Sequence, residues 1–544
     1  QPELRTSRKS RKKLQVIICV LLVELCERFT FFGIVCNMIL FCTVKLGYDN
    51  YLAAFINLMF VGATTLTPVL VGWFAETYLG RTKVLYLCAF LHFFTAMLPV
   101  VAFPFEDFYI DTHHITHQIE PREQQILFYT GLLAAALGIG GIRAILCPMG
   151  AYSLQGYNQH QLLSFFNFYW LVNLNSTVVF LGIAYIQQSV AKNLGFLIPF
   201  TSVLLALMAI NMVRNKFTYK PKKGSLLTTL GVFLNSLRMC CIHYRHISGE
   251  VTSWLDRAKE NNGGRYSETH VENVKVLARL FPLYGLQLFY RVCITQIPSG
   301  YYIQTMNSNL HMGDFLLPIG VMNVISILPL LLLAPLMELV TSCFLSTGKP
   351  PMAPIRVILG HVLAALSLLL AGFCELQRKT YPLVEQTLSG KVLQVSSMPC
   401  YYLAPQYILL GIAEALVTPT SFISFQLTPS HIRGISLHFL TLSYGGGCFL
   451  GAFIVMFLYL ISGNFYPNVL HEGNLERFFF LLAILLAVNT LVLWRMSYYL
   501  DLSVQGKAVG VSPVTEKLLQ YKACLQFYNT IELSYINNSV QSML

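Results

Sequence analysis

Leu21-Leu22-Val23-Glu24-Leu25-Cys26-Glu27-Arg28-Phe29-Thr30-Phe31-Phe32-Gly33 sets two carboxylates and a guanidinium inside a run that is otherwise apolar enough to cross a membrane. A charge at bilayer depth costs about 3 kcal/mol on insertion scales, and more in simulations, unless it is paired or hydrated. Offsets of three and four residues put Glu24, Glu27 and Arg28 on one helix face, with Glu24 in reach of Arg28. That face is predicted to line a bundle interior or a water-filled cavity, not lipid.

Composition agrees with a membrane setting. Of 544 residues, 55% are hydrophobic and 11% charged, against about 25% charged in soluble domains. The 14 cysteines fall mostly in apolar runs without metal-ligand spacing and read as small packing residues, and no metal site is expected. The net charge of +12 follows topology. Basic residues gather before the first apolar run (Arg5 to Lys13), after Gly80 (Arg81, Lys83) and in a central segment (Arg214 to Lys223). These loops share one side if the helices alternate, and the positive-inside rule makes it cytoplasmic. Acids such as Glu106, Asp107 and Glu120 lie on the other side. No soluble basic domain exists to bind nucleic acid. The first apolar run is too long for a cleavable signal peptide and lacks a cleavage site.

Twelve apolar stretches are long enough to span about 30 Å of hydrocarbon. They fall near 14–44, 50–74, 83–103, 124–148, 162–190 and 194–213, and near 276–307, 314–345, 354–375, 402–427, 434–462 and 476–500. The expected organisation is a basic N-terminus (1–13), a six-helix bundle (14–213), a polar cytoplasmic linker (214–273), a second six-helix bundle (274–500) and a cytoplasmic tail (501–544). This is an all-α membrane protein with the layout of the major facilitator superfamily, whose binding site lies at the midplane between halves. Gly72-Trp73-Phe74-Ala75-Glu76-Thr77-Tyr78-Leu79-Gly80-Arg81 resembles that superfamily's loop motif. Gly72 and Gly80 are expected to allow close helix approach, and Glu76 and Arg81 to form a charge latch with late-helix Glu338 in a comparable role.

The chain also resembles the proton-coupled oligopeptide transporters. Glu24-x-x-Glu27-Arg28-Phe29-x-Phe31-Phe32-Gly33 is similar to their first-helix signature, with two phenylalanines for two tyrosines. Gly138-Ile139-Gly140-Gly141-Ile142-Arg143 is similar to a fourth-helix segment that normally ends in lysine. Phe168 to Asn173 and Gly411-Ile412-Ala413-Glu414 resemble signatures of the fifth and tenth helices. Gly182 to Gln188, Ser253 to Lys259 and Ala404-Pro405-Gln406-Tyr407 are similar to the peptide/histidine transporters of solute carrier family 15. The short connection before Ala404 contrasts with the large domain that the intestinal and renal members insert there. The divergent details point to an orphan branch rather than to either well-studied peptide/histidine transporter.

The resemblance implies symport of protons with di- or tripeptides, and with histidine, by alternating access. It assigns the substrate carboxylate to Arg28 and Arg143, the amino terminus to Glu414, and proton coupling to Glu24, Glu27 and Arg143. A structural ion pair holding the first helix to the fourth is the competing role for the triad. Arg143 departs from lysine, and a guanidinium stays charged where a buried lysine can release its proton. The cycle would then rest on the carboxylates, or the arginine simply pairs with Glu24 or Glu27. Phe31 and Phe32 keep ring volume and lose two hydroxyls, which means either fewer substrate contacts or a more apolar substrate. Asn173, Gln296, Tyr301 and Asn323 are candidate cavity groups, each also suited to helix–helix hydrogen bonding. His92 and His361 read as interfacial. Glycines 138, 140 and 141 read as packing residues, because no βαβ unit surrounds them.

No enzyme constellation and no cofactor other than the coupling proton is implied. The expected partners are small peptides or amino acids, protons and the bilayer; the linker's aromatic and basic residues make a cytoplasmic partner a further candidate. Two alternatives stay open: a non-transporting sensor or scaffold on this fold, and a proton-independent organic anion facilitator. Endolysosomal and plasma membranes are equally compatible with the sequence.

Overall fold

The computed structural model describes residues 2–96, 121–153, 177, 181–182, 185–186, 197–213, 225–241, 253–329, 331–333, 353–388, 390–417 and 433–508. The first half contributes α1 (Pro2–Val44), α2 (Asn50–Phe74), α3 (Arg81–Phe93), α4 (Pro121–Ser153) and α5 (Leu197–Val213). A connecting unit holds α6 (Ser225–Cys241) and α7 (Glu268–Ala278). The second half contains α8 (Phe281–Ile294), α9 (Gly300–Met306), α10 (320–329), α11 (Ala353–Thr380), α12 (Ala404–Val417), α13 (Arg433–Ile461) and α14 (Leu475–Ala508). Among the described residues, seven helices are long and apolar enough to cross a membrane. Most of the expected span at 162–190, and the tail beyond 508, lie outside them.

Within the first half α4 is central, packing on α1, α2 and α3, while α5 lies along α1. Small residues make that packing possible. A Cβ at Gly138 would meet His92 of α3 at 2.8 Å, and one at Gly140 or Gly141 would overlap Thr67 of α2 or Cys88 of α3. The glycine run is packing surface, as the sequence suggests. His92 and His361 are both fully buried. Neighbouring helices cover them: α3 is clamped on α4, and Tyr290 stacks on His361 at 4.5 Å.

The expected continuous helix at 276–307 is instead broken. Residues 295–299 turn between α8 and α9, because Pro298 has no N–H to continue the ladder. Asn57 of α2 donates to the carbonyl that the break frees, at 2.7 Å from Pro298 O. The connection before α12 is a short hairpin, β1 (Leu383–Leu388) paired antiparallel with β2 (Lys391–Ser396).

Contacts between the halves run along α2 and α13, and their polar part gathers at one end. Asn50 donates to Pro467 O at 3.0 Å, Asn468 to Asp49 at 2.7 Å, and Tyr302 to Cys36 O at 3.0 Å. Tyr51 stacks on Tyr459 with centroids 3.5 Å apart. Deeper along the seam, Gly62 lies against Phe449 and Gly445 against Leu66.

The connecting unit is folded. Val232 of α6, Leu255, Ala258, and Val271 and Val274 of α7 form a small core. Asp256 is buried beside it and is matched by Lys259 at 2.9 Å and Lys275 at 2.5 Å. Lys259 and Lys275 also hold Glu272 at 2.6 and 2.9 Å, which pulls the Glu272 carboxyl below its ordinary pKa and raises that of Lys259.

Candidate functional site

Two charged poles face the seam. In the first half, Arg143 Nη2 lies 2.6 Å from Glu27 Oε1, joining α4 to α1. The Glu27 side chain is 3% exposed and that of Arg143 33%. The pair thus joins a buried carboxylate to a partly exposed guanidinium. The guanidinium also sits over the Phe31 ring, 5.6 Å from its centroid. Phe31 stacks on Phe60 of α2 and meets Phe32 edge-on. The Phe31 ring thus presents an aromatic face to the cation. Thr30 fixes the helix behind this face, bonding Cys26 O at 3.0 Å and Ser202 of α5 at 2.9 Å. Arg28 is half-buried on the same segment. The side chains of Glu24, Glu76 and Arg81, and all of Asn173 and Glu338, lie outside the described residues.

The second pole includes a residue absent from the expected site. Glu414 of α12 accepts from Arg291 Nη1 at 3.1 Å and from the Tyr290 hydroxyl at 3.2 Å, both on α8. Arg291 also stacks over Tyr444 of α13, 5.3 Å from its centroid. Glu414 and Arg291 are 36% and 23% exposed, so both are open to their surroundings in part. The rule that flags Glu27 flags Arg291 equally, since it interrupts an apolar run; no resemblance motif covers it. Close packing holds it in place. A Cβ at Gly447 of α13 would meet Arg291 Cβ at 2.5 Å and Leu288 O at 2.7 Å.

Packing contacts link the two helix sets across the seam: Gly140, one turn before Arg143, abuts Thr67 of α2; the adjacent Leu66 abuts Gly445 of α13; and Gly447, two residues on, abuts Arg291.

Other expected residues sit elsewhere. Tyr301 is fully buried, its hydroxyl 2.8 Å from Ser367 Oγ of α11. Gln296 is buried in the α8–α9 break and donates to Val292 O at 3.1 Å. Both are enclosed by the second half rather than open to a cavity. Asn323 of α10 is buried, and its Oδ1 has no hydrogen-bond partner among the described residues. Among the described residues, no atom lies within 4 Å of a Cβ placed on Gly72 or Gly80. Gly80 instead supplies a φ of +80° between a π turn, Ala75–Leu79, and α3, a conformation that favours glycine.

The POT family model matches residues 99–469. The chain belongs to the POT family. It is 54% identical over 534 residues to human "Solute carrier family 15 member 5", covering 97% of this chain and 92% of that protein. Identity to mouse "Solute carrier family 15 member 3" is 25% over 526 residues, 88% of this chain and 90% of that one. The crystal structure of the POT family transporter PepTSo superposes with a TM-score of 0.69 at 18% identity, covering 90% of this chain and 98% of its own. The fold is accordingly the all-α major facilitator fold of POT transporters, with helices in two bundles, and the chain is a multi-pass membrane transporter. Family and fold are those of transporters, not of enzymes.

Proposed function

We propose that the protein is a secondary active symporter that moves protons with di- or tripeptides, and with histidine, by alternating access. The observation that carries the reading is the pair of partly exposed charge poles, Glu27–Arg143 and Arg291–Glu414, one in each of the halves that meet along α2 and α13. A substrate bridging them draws the halves together and so favours the occluded state through its differential affinity. Arg28 and Arg143 receive the substrate carboxylate. Glu24 and Glu27 are the proton carriers: a substrate carboxylate that takes Arg143 leaves Glu27 without its cation, which favours protonation of Glu27. Arg143 cannot itself give up a proton, so the proton step belongs to the carboxylate.

With both termini and the linker (214–273) in the cytoplasm, the Asn50–Asn468 end faces away from it. The polar contacts gathered there then describe a state closed on the non-cytoplasmic side. Uptake of labelled dipeptide and histidine into proteoliposomes, with and without an imposed inward proton gradient, tests the proposal. Gradient-driven accumulation is expected; equal uptake without the gradient leaves a facilitator, and no uptake by folded protein leaves a sensor or scaffold.

A further inference from the structure

Glu414 could take a substrate ammonium only by giving up Arg291, and the guanidinium would then stand unpaired at bilayer depth. That exchange is unfavourable, because Arg291 is fixed on three sides. Its fork reaches Glu414 at 3.1 Å, its plane rests on Tyr444, and its stem lies against Gly447. The Tyr290 hydroxyl adds a second donor to Glu414, so the carboxylate already has a cation and a neutral donor. An incoming acid group has access to this guanidinium, which is 23% exposed: it can accept from it through a charge-assisted bond while Glu414, 36% exposed, turns away.

We infer that the transported species presents a second acidic group to the C-terminal half, where Arg291 receives it as a specificity-determining residue. The ligand class is a dicarboxylate, such as a dipeptide with an acidic side chain, with one acid at Arg28 and Arg143 and the other at Arg291. This rests on the reading that both poles line one substrate cavity.

The test is binding to the full-length protein in lipid nanodiscs, with Ala-Glu, Ala-Ala, Ala-Lys and the non-peptide dicarboxylate glutarate as probes. Ala-Glu should bind about tenfold or more tighter than Ala-Ala, and Ala-Lys weakest. Arg291→Gln should bring Ala-Glu and Ala-Ala to within about threefold. Because that change strands Glu414, the neutral double variant Arg291→Gln/Glu414→Gln serves as the folding control and should lose the same preference. Glu414→Gln alone frees Arg291 and should tighten Ala-Glu. Equal binding of Ala-Ala and Ala-Glu by the unaltered protein overturns the inference. So does an acid preference that survives the double variant, or failure of every acidic probe to bind. Arg291-dependent binding of glutarate with no dipeptide bound supports it, while removing the peptide reading above.

Discussion

Replacing Arg143 with methionine removes the partner of a carboxylate that is 3% exposed. Exposed ion pairs contribute about 0–1 kcal/mol, and breaking a buried one costs about 3–5 kcal/mol. Here one partner is buried and the other is 33% exposed, so the coupling falls between, near 2 kcal/mol. The contact of Arg143 with Phe31 adds about 0.5–1 kcal/mol, giving a loss of about 3 kcal/mol for Arg143→Met. The assay is a double-mutant cycle of Arg143→Met and Glu27→Gln, read by reversible unfolding of the full chain in mixed micelles. Arg143→Lys should keep the charge but lose the planar fork and the ring stack, costing about 1 kcal/mol. A Glu27–Arg143 coupling below about 0.5 kcal/mol would refute the reasoning, since that is the value of a solvated surface pair.

Four further outcomes follow from other parts of the molecule. Asn57→Leu removes the bond to Pro298 O, worth about 0.5–1.5 kcal/mol. Spin labels at Lys45 and Val469 should then show an open population larger by about twofold to tenfold, and an unchanged distance distribution would contradict this. Gly447→Ala should cost about 1–3 kcal/mol by overpacking and reduce uptake, because Leu288 O is backbone and cannot swing aside; melting and uptake equal to the parent would oppose it. Glu375 and Arg378 are both fully buried and bonded at 2.7 Å, so Glu375→Gln should cost about 3–5 kcal/mol, seen as loss of folded protein in size-exclusion chromatography. In the connecting unit, the lowered pKa of Glu272 adds stability that is present above the unfolded carboxyl pKa and lost as pH falls through the folded value. Protection from hydrogen exchange across 253–278, relative to the intrinsic rate at each pH, should fall with acid below about pH 4, and Glu272→Gln should flatten that dependence.

The legible parts of this molecule are those where one local rule decides the outcome. α2 coincides with the apolar run 50–74, because length and hydropathy alone set a membrane span. Glu27 and Arg143 meet because a charge at bilayer depth must find a partner, although the sequence left open whether Glu24 or Glu27 would provide it. The α8–α9 break was less visible, since one proline in an apolar run is tolerated as often as it ends a helix. Tyr301 and Gln296 show the harder limit. Polar groups in membrane helices serve helix packing and cavities alike, and only the rotational setting of each helix distinguishes them. Arg291 was within reach of the charge rule, but its partner Glu414 lies 123 positions away, beyond any local pattern.

The central claim is that the two poles together bind and move a substrate with protons. Its most direct measurement is uptake of labelled Ala-Glu and Ala-Ala by proteoliposomes of the full chain under an imposed inward proton gradient. Parallel vesicles would carry Arg143→Met or Arg291→Gln. The account predicts accumulation above equilibrium that collapses with the gradient and falls at least tenfold in either variant. Accumulation that ignores the gradient, or that persists in both variants, would contradict it.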